Sequence, residues 1–159
     1  MGTLPRQGDR KLYEPRGALW VSLEFQGIPT HIINTHLSIW PKERMLQVAE
    51  LLSKQWLDLQ DQKEPLILCG DFNATPGSPA YNRICRRLKD SQTALAGHHP
   101  QRTWLGRYPL TQIDYIFVDP EFQIHSIAVP RTALEKTASD HLPLIAEMSC
   151  SYFSALSNY

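Results

Sequence analysis

The chain has 159 residues, of which 42% are apolar and 20% charged, and its formal net charge is zero. That is enough chain for one domain with its own core, and it lacks the basic excess expected of non-specific nucleic-acid binding. Its three cysteines, Cys69, Cys85 and Cys150, are far apart with no C-x-x-C pair, which argues against a disulfide framework or a structural zinc site.

No apolar run approaches the length of a membrane span, and the start of the chain lacks the hydrophobic stretch of a secretion signal, so the cytoplasm is the expected compartment. Residues 1–16 are polar, carry Pro5, Gly8 and Pro15, and read as a tail or loop. From Ala18 the sequence alternates, with Leu19, Val21, Leu23 and Phe25 on one face and Trp20, Ser22 and Glu24 on the other. Gln26-Gly27 supplies a turn, and residues 28–37 return as the second strand of a hairpin, with His36 near its end.

Pro41 opens a helix whose apolar stripe is Met45, Val48, Ala49, Leu52 and Trp56, closed by the polar run 60–64. Pro65 then introduces Leu66-Ile67-Leu68-Cys69 running into Gly70, as expected of a strand buried on both faces. Ser78-Pro79 reads as an N-cap and first helical residue, with Tyr81, Ile84, Cys85 and Leu88 on the buried side. Residues 90–112, containing Gly97-His98-His99-Pro100 and Gly106-Arg107-Tyr108-Pro109, read as a long surface loop. A strand at 113–118, a partner strand at 122–129 and a last strand at 142–148 complete a β-β-α-β-α-β-β-β order. This is a mixed-sheet α/β pattern, with one domain over 17–149 and a tail at 150–159.

Residues able to do chemistry fall in four short stretches: Asn34-Thr35-His36-Leu37, Gly70-Asp71-Phe72-Asn73, Ile113-Asp114-Tyr115-Ile116-Phe117 and Ser139-Asp140-His141. Asp71 and Asn73 leave the carboxyl end of the buried strand, where α/β sheets place ligand-binding groups. Asp71 offers a charge to a metal or a base to a water, and Asn73 offers a donor and an acceptor to a phosphate oxygen. Each stretch also has a plain structural reading. Asp71 and Asn73 suit a turn, Asp114 suits a buried carboxylate with backbone partners, and Asp140-His141, preceded by Ser139, suits a helix cap or a turn. Arg83, Arg86, Arg87 and Lys89 read as the solvated face of a helix, and His31, His98, His99 and His125 as structural or surface residues.

The four stretches, in this order from about Gly17 to Met148 and with Glu43-Arg44 and Gln47 on the first helix, resemble the endonuclease/exonuclease/phosphatase superfamily, which includes abasic-site nucleases, sphingomyelinases and inositol phosphatases. The resemblance implies an α/β fold, a DNase I-like layered sandwich of mixed β-sheets flanked by helices. It implies a phosphoester hydrolase acting through a metal-activated water, with Mg2+ or Mn2+ as cofactor. The substrate would be a nucleic acid, a phospholipid or a small phosphate ester. By the same resemblance His36 faces the leaving group or its phosphate, Asp71 positions and deprotonates the attacking water, and Asn73 binds a phosphate oxygen. Asp140 and Asp71 belong to the metal environment, and His141 stabilises the transition state, oriented by Asp114.

Family members begin with strands carrying an active-site Asn and a metal-ligand Glu, and nothing upstream of Asp71 matches them. The domain is therefore expected to be incomplete at its N-terminus, poorly active alone, and prone to self-association through an exposed sheet edge. The alternative is a truncated, non-catalytic remnant that binds phosphate or a partner without turnover.

Overall fold

The computed structural model describes residues 2–5, 14–25, 28–53, 56 and 64–150. Its main sheet has six strands: β1 (Gly2–Thr3), β2 (Gly17–Phe25), β3 (Ile28–His36), β4 (Leu66–Asp71), β5 (Lys89–Asp90) and β6 (Asp114–Val118). They lie in the order β1-β2-β3-β4-β6-β5, and only the central β3–β4 pair is parallel. Two further strands, β7 (Phe122–Ala128) and β8 (Ile145–Cys150), form a separate antiparallel pair. The helices are α1 (Pro41–Leu51), α2 (Pro79–Ile84), α3 (Ser91–Ala94) and α4 (Ala133–Ala138).

Side-chain alternation sorts the main sheet into two faces. Ala18, Ile33, Leu66, Leu68, Tyr115 and Phe117 are buried on one face and form a core with Val48 and Leu51 of α1 and Ala80 and Ile84 of α2. On the opposite face, β7–β8 cover Val118 with Phe122 and Ile124, against partly buried Ile67 and Ile116. The β2 end of this face is uncovered: Leu19 is 47%, Val21 36% and Leu23 49% exposed. The layered sandwich expected from the sequence is present, with helices outside the main sheet.

Several elements depart from the sequence reading. α1 ends at Leu51, and Trp56 reaches the core from beyond it. The buried residues of α1 are Glu43, Gln47, Val48 and Leu51, so two polar side chains stand where an apolar stripe was expected. They are buried because they hold the loop after β3: Gln47 Oε1 accepts from Ser38 N at 2.8 Å and Glu43 Oε2 from Ser38 Oγ at 2.7 Å. The stretch 90–112 is not merely a surface loop, since Asp90, Ser91, Gln92, Thr103 and Gln112 are buried and bonded into β5, α3 and the base of β6.

β7 pairs with β8 and not with β6, because β6 already has β4 and β5 on its two edges. The last strand runs over Ile145–Cys150, later than 142–148, because Leu142 is committed to Thr103 by a 2.8 Å backbone bond. α4 lies between the strands expected at 122–129 and 142–148, where Thr132-Ala133-Leu134-Glu135 is a capping box and closes as one. Within the stretch read as a tail, Gly2–Thr3 pair with β2. The Gln26-Gly27 turn and the tail beyond residue 150 lie outside the described residues.

Candidate active site

Register assembles the site. In the parallel β3–β4 ladder His36 stands opposite Asp71, and in the antiparallel β4–β6 ladder Asp71 stands opposite Asp114. Residues directly paired across strands project to the same face, so three polar side chains from three distant stretches form one row at one end of the sheet. Gly70 permits that approach. Its φ is +131°, and a Cβ there would lie 1.9 Å from the Thr35 carbonyl oxygen. Phe72, fully buried between Tyr115 and Phe117, anchors the turn so that Asp71 and Asn73 emerge on its other side.

The fourth stretch arrives through two loops. Trp104 bridges His141, and Gly106 N donates to the Asp140 carbonyl at 2.7 Å. The His141 ring Nδ1 then lies 2.9 Å and 3.1 Å from the two oxygens of Asp114. A carboxylate only accepts, so Nδ1 carries the hydrogen and Nε2 is the nitrogen that faces the site. Nε2 lies 4.0 Å from Asp71 Oδ2, and His36 Nε2 lies 3.2 Å from that same oxygen. One carboxylate oxygen is thus flanked by two imidazoles.

The remaining bonds keep Asp71 in place. Its Oδ1 accepts from Asn73 N at 2.8 Å, and Asn73 Nδ2 donates to the Leu37 carbonyl at 2.9 Å and lies 3.5 Å from Asp71 Oδ2. Asn73 has a φ of 48°, a left-handed conformation that asparagine tolerates. Binding a phosphate oxygen as a donor would require Asn73 to exchange its long contact with Asp71. Burial pushes the Asp71 carboxyl above its usual range; the Asn73 backbone bond lowers it, the Asp114 charge raises it, and His36 and His141 lower it. The result is a stronger base than an ordinary carboxylate. Burial lowers His141, but the hydrogen bond and charge of Asp114, with Asp71 and Asp140, outweigh it and raise its pKa.

Of the residues singled out from sequence, His36, Asp71, Asn73, Asp114 and His141 are brought together. The Asp140 side chain is exposed; its carbonyl receives Gly106, and its charge acts on His141. Among the described residues the ligand atoms close enough to share a cation belong to Asp71, Asp114 and His141, mutually within 4.8 Å. The other histidines lie elsewhere: His31 is held by Trp20 and Glu64, His98 by Gln92 and His125 by Ser149, and His99 is exposed. Two further residues contribute, Thr103 without any local signal and Arg44 from the first-helix pair already noted. Thr103, fully buried, donates from Oγ1 to Asp114 Oδ2 at 2.6 Å. Arg44 donates to the Ser38 and Ile39 carbonyls; burial lowers its pKa, and the charge of Asp71 opposes that shift.

Residues 4–141 match the Endonuclease/Exonuclease/phosphatase family. The chain belongs to that family. Among curated relatives, the uncharacterised protein YbhP of Escherichia coli is 28% identical over 137 residues, covering 85% of this chain and 53% of YbhP. A conserved protein of unknown function from Enterococcus faecalis superposes with a TM-score of 0.75 at 27% identity, covering 91% of this chain and 60% of the other. The mannosyl-6-phosphatase of Bacteroides thetaiotaomicron superposes with a TM-score of 0.74 at 24% identity, covering 85% and 57%. This member of the Endonuclease/Exonuclease/phosphatase family therefore spans about half the length of the curated relatives it matches most extensively.

Proposed function

We propose that this site hydrolyses phosphoesters by attack of a water molecule on phosphorus. The observation that carries the reading is the single Asp71 oxygen set between two imidazoles, one of them backed by Asp114. Asp71, with its affinity for protons raised by burial, takes the proton of the attacking water. His141, its pKa raised, presents a hydrogen-bond donor at Nε2 to negative charge building on the phosphoryl oxygens. His36, more than half exposed at the rim, faces the leaving group or its phosphate. Asn73 holds the Asp71 carboxylate and, when it gives up that long contact, donates to a phosphate oxygen.

The donor set fits a hard divalent cation, Mg2+ or Mn2+, in part. Two carboxylates face one another across β4 and β6, which favours a cation between them, yet Asp114 already accepts from Thr103 and His141. Asp71 would be the main ligand, with Asp114 and His141 of the same cluster beside it, while the exposed Asp140 stands outside that set. When bound, such an ion neutralises phosphate charge and lowers the pKa of the water it holds. Substrates in range are nucleic acids, phospholipids and small phosphate esters, and the cytoplasm is the proposed compartment.

The test is turnover of bis(p-nitrophenyl) phosphate and p-nitrophenyl phosphate with Mg2+ and after EDTA, by wild type and Asp71→Asn. The expected result is metal-dependent nitrophenolate release that falls by at least about 10²-fold in the variant, whose melting temperature is preserved. A variant that retains the wild-type rate would remove Asp71 from the mechanism. A second reading, phosphate binding without turnover, is favoured by the engaged lone pairs of Asp114. It expects calorimetric phosphate binding and no release of nitrophenolate in Mg2+.

A further inference from the structure

The wall of the site that carries His141 has an outer surface the chemistry above does not use. The loop from Trp104 to Thr111 closes on itself, with Leu110 N donating to the Trp104 carbonyl at 2.7 Å and Tyr108 N to the Leu105 carbonyl at 2.9 Å. It is tied to the site by the Trp104–His141 bridge and the Gly106–Asp140 bond. α4 stands beside it: Arg107 of the loop and Ala133, Lys136 and Thr137 of the helix line one cavity of about 380 Å³. α4 buries none of its residues.

This wall exposes large apolar side chains that nothing in the fold requires there. Tyr108 is 72%, Leu110 60% and Leu134 71% exposed. Among them stand Arg102, Arg107, Arg131 and Lys136, all exposed, and among the described residues none of the four pairs with a carboxylate. Arg131 reaches back to the Arg102 carbonyl, which places both at the same wall. Exposed leucine and tyrosine tips on the same loop and helix as exposed cations match an interfacial membrane seat, where apolar tips enter the headgroup region and cations meet anionic lipid. A nucleic acid would use the cations and the tyrosine ring, but it has no use for two exposed leucines.

We propose that the 104–111 loop and α4 seat the protein on an anionic membrane surface, which makes a lipid-borne phosphoester the substrate class of the adjoining site. The surface stands on its own geometry, and the substrate class rests on the hydrolase reading above. The Trp104–His141 bridge joins that surface directly to the site.

The test is flotation of the purified full chain with phosphatidylcholine vesicles, with and without phosphatidylserine. Binding is expected to the anionic vesicles, to weaken with salt, and to fall about tenfold in Tyr108→Ser/Leu110→Ser. Arg107→Gln/Lys136→Gln, which leaves the apolar tips in place, is expected to erase the preference for phosphatidylserine. Leu19→Ser/Leu23→Ser, on the uncovered β2 face, is expected to bind as wild type does. The surface is overturned if Tyr108→Ser/Leu110→Ser binds like wild type, if neutral and anionic vesicles bind equally, or if only the β2 variant loses binding. It is also overturned if a single-stranded oligonucleotide, and no vesicle, occupies the wall. Vesicle binding with no hydrolysis of lipid or soluble esters would refute the hydrolase reading alone, and hydrolysis of soluble esters without vesicle binding would refute the surface alone.

Discussion

Replacing Gly70 with alanine tests the geometry on which the site is built. The glycine φ of +131° lies where an L side chain is strained, at a cost of about 1–3 kcal/mol. The new Cβ would also start 1.9 Å from the Thr35 carbonyl oxygen, a backbone atom that no rotamer change moves aside. β3 and β4 would have to part by more than an ångström at the Thr35–Gly70 pair. That weakens one or two ladder hydrogen bonds worth about 0.5–1.5 kcal/mol each. The total, about 1.5–6 kcal/mol, is a sizeable share of the roughly 5–15 kcal/mol that holds a domain folded. One residue further on the same ladder pairs His36 with Asp71, so the 3.2 Å contact between their side chains loosens as well. Urea unfolding followed by tryptophan fluorescence measures the loss. Gly77→Ala is the control: its φ is +79°, but nothing lies within 4 Å of the added carbon, so it carries the conformational term alone. Equal losses at the two positions, or a Gly70→Ala midpoint equivalent to within about 0.5 kcal/mol of wild type, would refute the close-approach argument.

The His141–Asp114 pair makes stability depend on pH with a defined sign. The folded-state pKa of His141 is raised above 6.5, so its contribution is complete below that value and is lost as pH climbs through the raised one. The advantage of wild type over Asp114→Asn in urea is therefore expected to shrink as pH rises above 6.5, and a constant advantage would dismiss the pairing. Thr103→Val keeps the shape and removes the hydroxyl that donates to Asp114 at 2.6 Å, for an expected loss of about 1–2 kcal/mol by the same unfolding assay. A neutral result would mean that Asp114 does not depend on that donor. The exposed Leu19, Val21 and Leu23 are expected to make the chain associate with itself at rising concentration. Sedimentation velocity of wild type and Leu19→Ser/Leu23→Ser distinguishes the cases, and a wild type that stays monomeric throughout contradicts the expectation.

Local sequence determined the pieces that depend on near neighbours. The apolar run into Gly70 is a strand whatever packs on it, and Ser78-Pro79 starts α2 because a hydroxyl acceptor followed by a residue without an N–H suits a helix start. Asp71 and Asn73 flank a phenylalanine that must be buried, which turns both toward the site. The capping box at Thr132 and Glu135 was equally local and marks α4.

Tertiary structure decided what depends on register and on distant partners. Glu43 and Gln47 look misplaced on a buried helix face until Ser38 supplies their hydrogen bonds. Nothing around Thr103 announces that it supports Asp114, because the bond forms only when the loop returns to the start of β6. Both Asp114 and Asp140 are plausible companions of Asp71 on paper. The β4–β6 pairing places Asp114 opposite Asp71, while Asp140 remains exposed beside His141. A short peptide stretch sets its own alternation and its own donors, but which residue of another strand it meets is fixed only when whole sheet faces are buried together, since a one-residue slip would reverse every side chain.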